Sequence, residues 1–314
     1  MIFRYPGGKS RKFIRELILS HAPKTFEEYR EPFVGGGGIF FGIAPSKKRW
    51  INDMNTHIVA VYLALRDRPQ SFIKMCQSIA PAIPGEPSIV SVHGTRYPKR
   101  LHDLFHALRD NHNADLALRC FFCNRTGYGG RVVLDGDRIG RTTFSNPRGW
   151  NIAATDRLEL AAEHLQGAQI TCGDYEPLLS TRGDGVYIYC DPPYMRDTAL
   201  PKSGKLYQHG FTLSDHYRFA EESRKCKHSL CISYDDHPLI RELYKKDFFI
   251  YPQSWAYCGT SLKKKKVGQE LIITNYPVEP RTNLSVNTNH PTPNGSGHGT
   301  PKIIADEDIA ADCY

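Results

Sequence analysis

An aspartate, two prolines and a tyrosine, Asp191-Pro192-Pro193-Tyr194, follow directly on the apolar run Val186-Tyr187-Ile188-Tyr189-Cys190. That run, with Gly183 and Gly185 on its other side, reads as a buried parallel strand, which sets Asp191 at a strand's carboxyl end, the rim where open α/β sheets bind ligands. Each proline fixes its own φ and restricts the residue before it, so the chain leaving Asp191 is stiff and lacks amide donors at positions 192 and 193. Two acceptors remain, the Asp191 carboxylate and the Pro192 carbonyl, with the Tyr194 ring just beyond them. The set suits a planar substrate carrying an NH2 group, whose two hydrogens go to Asp191 and Pro192 while its ring stacks on Tyr194. A strand that merely ends in a Pro-Pro turn is the plain alternative.

Other stretches would have to build a site around that rim. Near the start, Gly7-Gly8-Lys9-Ser10 has the ending of a nucleotide triphosphate loop, but Phe3 occupies the position of that loop's first glycine. A tight turn bringing Lys9 towards something anionic, ahead of a charged helix over 11–19, is what survives. Residues 29–41 read as a strand entering four glycines, Gly35 to Gly38, and an apolar helix start. In either frame the third site of a dinucleotide fingerprint is bulky, Phe40 or Phe41, which favours an adenosyl cofactor without a pyrophosphate. The strand over 48–53 ends in Asp53, 18 residues after Gly35, the spacing at which such folds place a carboxylate on ribose hydroxyls. A later strand ends in Asp174, suited to accept from an adenine amine or to cap the following helix.

Between these α/β stretches the texture changes. Helical patterns over 56–66, 101–108 and 116–123 lead to Arg125-Thr126-Gly127-Tyr128-Gly129-Gly130-Arg131 and a hairpin across 134–137, with Arg138 and Arg141 alongside. Arginine interleaved with an aromatic and glycines suits phosphate and base contacts, which makes Arg125, Tyr128, Arg131 and Arg141 candidate nucleic-acid contacts; a solvated insertion is the alternative. His102, His106 and His112 lack a cysteine or carboxylate set and read as surface residues, so no metal is expected. Thr212 and Asp215 form a capping box opening a helix to residue 225, after an aromatic loop over 206–211 that could act as a lid. Further strands are expected over 229–234, 248–251 and 270–274, with Lys263 to Lys266 in a hairpin loop.

The chain has 314 residues and a formal charge of +8. Two basic and five acidic residues in 278–314 give that segment −3, leaving +11 on the body and pointing to a polyanion partner. The tail is rich in Asn, Pro, Thr and Gly and is expected to be disordered. Nine cysteines without pairing rhythm fit a reducing cytoplasmic compartment best, and with no charged-then-apolar leader and no long apolar run neither secretion nor a membrane span is expected.

Together these motifs resemble the Dam-type DNA adenine-N6 methyltransferases. Asp191-Pro192-Pro193-Tyr194 looks like their catalytic tetrapeptide and Pro32-Phe33-Val34-Gly35-Gly36-Gly37 like their S-adenosylmethionine loop. Arg4-Tyr5-Pro6-Gly7-Gly8-Lys9 is similar to the family's Lys-Trp-Ala-Gly-Gly-Lys, with Tyr5 for Trp and Pro6 for Ala, and Asn52-Asp53-Met54-Asn55 matches the ribose position. Ser233-Tyr234-Asp235-Asp236-His237 through Arg241-Glu242-Leu243-Tyr244 looks like a late family segment, so the resemblance covers roughly residues 2–277, least well in the recognition region. It implies a Rossmann-like α/β methyltransferase fold over 1–56 and 168–277, an inserted, mainly helical DNA-recognition domain over 57–167, and double-stranded DNA as partner. The implied cofactor is S-adenosyl-L-methionine, held by Tyr5, Lys9, Phe33, Gly35, Gly37, Asp53, Asp174 and Asp191. Catalysis would fall to Asp191, Pro192 and Tyr194, with direct methyl transfer to a flipped-out adenine. Cytosine N4 offers the same exocyclic chemistry and is the nearest alternative. Cytosine C5 would need a Pro-Cys nucleophile that the chain lacks. A glutamine or RNA amine, or a DNA-binding module with a vestigial cofactor site, are further readings.

Overall fold

A computed structural model describes residues 2–4, 9, 11–45, 47–90, 94–130, 133–135, 138–140, 142–195, 210–256 and 267–278. Seven strands form one sheet: β1 (Glu28–Glu31), β2 (Lys48–Asp53), β7 (Gln169–Cys172), β8 (Val186–Cys190), β9 (Ser229–Asp235), β10 (Phe249–Ala256) and β11 (Val267–Thr274). Two hairpins lie outside it, β3 (Ser88–Val90) with β4 (Arg96–Pro98), and β5 (Val133–Asp135) with β6 (Arg138–Gly140). The latter is the hairpin expected across 134–137.

The sheet runs in the order β10-β11-β9-β8-β1-β2-β7. From β1 the chain steps outward through β2 to β7, then returns to the other side of β1 to lay down β8 and β9, all parallel, before an antiparallel pair closes the edge. The order therefore reverses between β1 and β8. Adjacent loops leave in opposite directions at such a point and open a crevice at the carboxyl ends, where doubly wound sheets bind ligands.

Along β8, Tyr187 and Tyr189 join the core on one face, and Val186, Ile188 and Cys190 that on the other. Burial on both faces is why the strand reads as an uninterrupted apolar run rather than an alternation. The core on the first face takes in residues of α1 (Lys12–Ser20), α2 (Thr56–Asp67), α3 (Pro69–Gln77), α4 (Lys99–Asp110), α5 (Leu116–Thr126) and α6 (Ile152–Leu165), that on the second residues of α7 (Glu176–Ser180), α8 (Leu213–Lys225) and α9 (Pro238–Tyr244). Helix α2 packs on β2 and β7 as well as on α5 and α6, so the core runs unbroken from the sheet into the helical segment. The expected division at residues 56 and 57 thus falls in the first turn of a helix that covers the sheet.

One expected element is missing. The glycine run enters only a single 3-10 turn, Phe40–Gly42, and among the described residues no α-helix lies between β1 and β2. Gly42 and then Pro45, which restricts the residue before it, stop the turn from propagating. The capping box of α8 forms as expected, with Thr212 accepting from the Asp215 amide and Asp215 from the Thr212 amide. Among the described residues no helix is long and apolar enough to cross a membrane. Residues 206–209 of the proposed lid, the lysine run 263–266 and the tail from 279 lie outside the described residues.

Candidate active site

At the strand reversal a cavity of about 380 Å3 opens, lined by the glycine loop (Gly35, Gly36, Gly38) and by Asp191 to Tyr194. The loop after β1 and the tetrapeptide after β8 converge because their strands are hydrogen-bonded neighbours. Asp191 is neither sealed in nor free: its side chain is 24% exposed, and its Oδ1 accepts from Ser233 Oγ at 2.8 Å and from Lys9 Nζ at 3.2 Å. Ser233 in turn shares a 2.8 Å hydrogen bond with the Tyr189 hydroxyl. Among the described residues Asp191 Oδ2 takes no hydrogen bond, which leaves one oxygen of a cavity-lining carboxylate for a substrate donor.

The Tyr194 hydroxyl donates to Glu270 at 2.8 Å and contacts Lys9, whose ammonium lies 4.7 Å from the Tyr194 ring centroid. Ser233 and Glu270 were not singled out for chemistry from the sequence. The available signal was a polar residue directly beside an apolar run, Ser233 after Leu230-Cys231-Ile232 in β9 and Glu270 before Leu271-Ile272-Ile273 in β11, since such residues are buried only when hydrogen-bonded.

The glycine loop is fastened to the end of β2. Asp53 accepts from the Gly35 amide at 2.8 Å through one oxygen and from the Asn55 amide at 2.8 Å through the other. Burial outweighs these two bonds and lifts the Asp53 carboxyl to about 6. Asn52 donates to the carbonyls of Pro32 and Gly173, tying together the loops after β1, β2 and β7. Gly37 does not line the cavity; it sits in the turn at φ 70°, where a Cβ would come within 2.8 Å of the Phe41 ring and 2.9 Å of the Tyr62 hydroxyl. Its part is to make the turn possible. Phe33 lines the cavity within an aromatic group, its ring centroid 5.4 Å from Tyr175, 5.8 Å from Phe211 and 5.6 Å from Phe219.

Asp174 also lines the cavity and accepts from both Arg218 terminal nitrogens, at 2.8 and 2.9 Å, and from the Glu176 amide at 2.9 Å. The Arg218 bonds hold its carboxyl below the usual range. Glu31, at the end of β1, is buried on the same cavity and accepts from Tyr29 at 2.6 Å; desolvation raises its pKa well above the ordinary value.

Five acidic side chains, those of Glu31, Asp53, Asp174, Asp191 and Asp215, thus line the cavity against two cations, Lys9 and Arg218, and even with Glu31 held towards its neutral form the acids outnumber the cations. That balance fits a cationic cofactor with ribose and amine donors and opposes a pyrophosphate. Among the described residues no cysteine lines the cavity: Cys190, adjacent to Asp191, is fully buried with its pKa driven well up, and Cys231 is pushed to about 12.

Beyond the cavity two expectations are corrected, one for Arg125 and one for the histidines His102 and His106. Arg125 is 5% exposed and donates to the carbonyls of Gly149 and Ile2, so its guanidinium holds loops together and is not presented to a phosphate. Tyr128, by contrast, is 59% exposed. Asn124 holds that loop to the N-terminal segment, donating to Arg4 O and Gly130 O and accepting from the Arg4 amide at 2.9 Å. Tyr5, Arg131 and Arg141 lie outside the described residues. His102 and His106 are half-buried, their rings in contact with each other, rather than plain surface groups.

Residues 5–257 match the family model described as D12 class N6 adenine-specific DNA methyltransferase. A type II methyltransferase, M1.LlaDCHI of Lactococcus lactis subsp. cremoris, is 24% identical over 285 residues, covering 87% of this chain and 94% of that protein. The DNA adenine methylase of Escherichia coli K12 is 27% identical over 251 residues, 77% of this chain and 83% of that one. The DNA N-6-adenine-methyltransferase of Escherichia phage P1 is 26% identical over 276 residues, which are 83% of this chain and 33% of the phage protein.

Proposed function

Because this chain belongs to the D12 class N6 adenine-specific DNA methyltransferase family, we propose that it methylates an adenine rotated out of duplex DNA against Asp191, Pro192 and Tyr194, using S-adenosyl-L-methionine. Adenine N6 rather than cytosine N4 is the target atom, as the family is adenine-specific. The observation that carries the site assignment is Asp191 itself, fixed through Oδ1 by Ser233 and Lys9, its Oδ2 unengaged among the described residues, on the cavity shared with the glycine loop.

S-adenosyl-L-methionine, when bound, supplies a methyl group activated by the sulfonium. Asp53 would hold the ribose hydroxyls, Phe33 would pack on the adenine ring, Gly35 would let the backbone approach, and the carboxylates of the cavity would favour the cationic centre. Asp174 would take the cofactor's adenine amine only by sharing an oxygen already held by Arg218, which engages both, Oδ1 being held by the Glu176 amide as well. Lys9 acts on the protein side, orienting Asp191, and Tyr5 is carried over on the family motif alone.

The N6 lone pair of the target is delocalised into the purine. Accepting the two amine hydrogens at Asp191 Oδ2 and the Pro192 carbonyl favours a tetrahedral nitrogen and meets the positive charge that grows there, so these acceptors bind the transition state more strongly than the ground state. Extruding the base costs a few kcal/mol, which stacking on Tyr194, worth about 1–3 kcal/mol per base, largely offsets. Residues 57–167, with Tyr128, Arg131 and Arg141, are the proposed recognition segment. Expressing the protein in cells lacking adenine methylation and mapping modified bases by single-molecule sequencing tests the whole reading: N6-methyladenine at one recurring sequence is expected, and an unmodified genome from soluble wild-type protein refutes it.

A further inference from the structure

Glu270 takes no part in the transfer just described, yet it is tied to two residues that do. It lies in β11 opposite Asp235 of β9 and is fully buried. Its Oε2 accepts from the Tyr194 hydroxyl at 2.8 Å and stands 3.5 Å from Lys9 Nζ, while Lys9 also reaches Asp191 Oδ1 at 3.2 Å. One ammonium is thus shared between a carboxylate on the cavity and one in the core. A buried carboxylate is costly unless its partners are held in good geometry, so Glu270 constrains Lys9 and the Tyr194 hydroxyl together.

On the reading that Asp191 accepts the target amine and Tyr194 stacks on the base, we propose that Glu270 is the positioning residue of the site. Anchored at its phenol oxygen, the Tyr194 ring cannot swing out of the plane it offers the extruded base. By drawing part of the Lys9 charge, Glu270 also leaves Asp191 a stronger acceptor for the amine as positive charge develops on it. Three charged groups, Lys9, Asp191 and Glu270, form one unit with a residual negative charge beside the reacting nitrogen.

The test is a double-mutant cycle on the full chain with a duplex carrying the mapped target sequence. Glu270→Gln keeps the volume and an acceptor for Tyr194 but removes the charge; Tyr194→Phe keeps the ring and removes its anchor. Each is expected to slow single-turnover methyl transfer by about 10- to 100-fold, the range of one hydrogen bond to a charged group, with the KM for S-adenosylmethionine changed by less than about threefold. The double variant should be no more than about threefold slower than the slower single, because the two act as one unit. Glu270→Asp, which keeps the charge, should recover part of the rate. A folded Glu270→Gln with the wild-type rate, or a double variant whose loss is the product of the singles, overturns the inference. If Glu270→Gln does not fold, Tyr194→Phe alone decides, and a wild-type rate there is equally fatal. Asp191→Ala separates this inference from the reading beneath it: activity in that variant removes both, whereas an inactive Asp191→Ala beside a fully active Glu270→Gln removes only the role of Glu270.

Discussion

Asp53 is a residue whose ionised form the fold disfavours. Folded, it holds its proton up to about 6, against 3.8 for an unperturbed group, because burial outweighs the amides of Gly35 and Asn55. The unfolded chain releases that proton first, so this group's contribution to stability falls as pH rises from 3.8 towards about 6 and is a standing cost above it. Strain of this kind clusters at binding sites. If the ionised carboxylate holds the ribose hydroxyls, affinity for S-adenosylmethionine should weaken by up to about tenfold per pH unit below 6, and calorimetry across that range should show the break vanish in Asp53→Asn. At Asp191 the expected effects are sharper. Asp191→Ala should abolish methylation while leaving the fold, since the side chain is 24% exposed and Ser233 keeps its bond to Tyr189; near-normal turnover in the folded variant would sink the assignment.

Helix α8 carries Asp215 and Arg218 to the cavity, and its first turn is set by the Thr212 capping box. Replacing Thr212 by Ala should cost about 0.5–2 kcal/mol of stability, read as a lower melting temperature, with a weaker cofactor affinity as the first turn frays. The glycine loop offers the complementary case. Gly37→Ala forces a side chain to φ 70° and into the Phe41 ring, so a loss of about 1–3 kcal/mol in thermal denaturation is expected, together with weakened cofactor binding. The seven strands of the main sheet, α8 and the β5–β6 hairpin were legible from apolar runs and turn chemistry, whereas the short β3–β4 hairpin was not. The absent helix after β1 was not, because Ile39-Phe40-Phe41 carries the hydrophobicity of a helix start while Gly42 and Pro45 decide that none propagates.

For the molecule as a whole, the basic balance of the body makes DNA affinity a counterion-release problem: log affinity should fall linearly with log salt, with a slope near −0.9 per phosphate neutralised. A flat salt response in a fluorescence-anisotropy titration would count against a phosphate-tracking surface. Arg125→Ala should behave differently, lowering stability without selectively lowering that slope, since its guanidinium is spent on the carbonyls of Gly149 and Ile2. By itself the sequence determined the strand ending at Asp191, the glycine loop, the acid at Asp53 and hence the class of chemistry, because each is written in local pattern: an apolar run, a proline stop, a glycine turn. Only the tertiary structure decided that Arg125 is buried, that Gly37 shapes the loop without lining the cavity, and that Ser233 and Glu270 complete the network. Those facts depend on which strands lie side by side, and pairings between residues 9, 191, 233 and 270 leave no local periodicity in the chain.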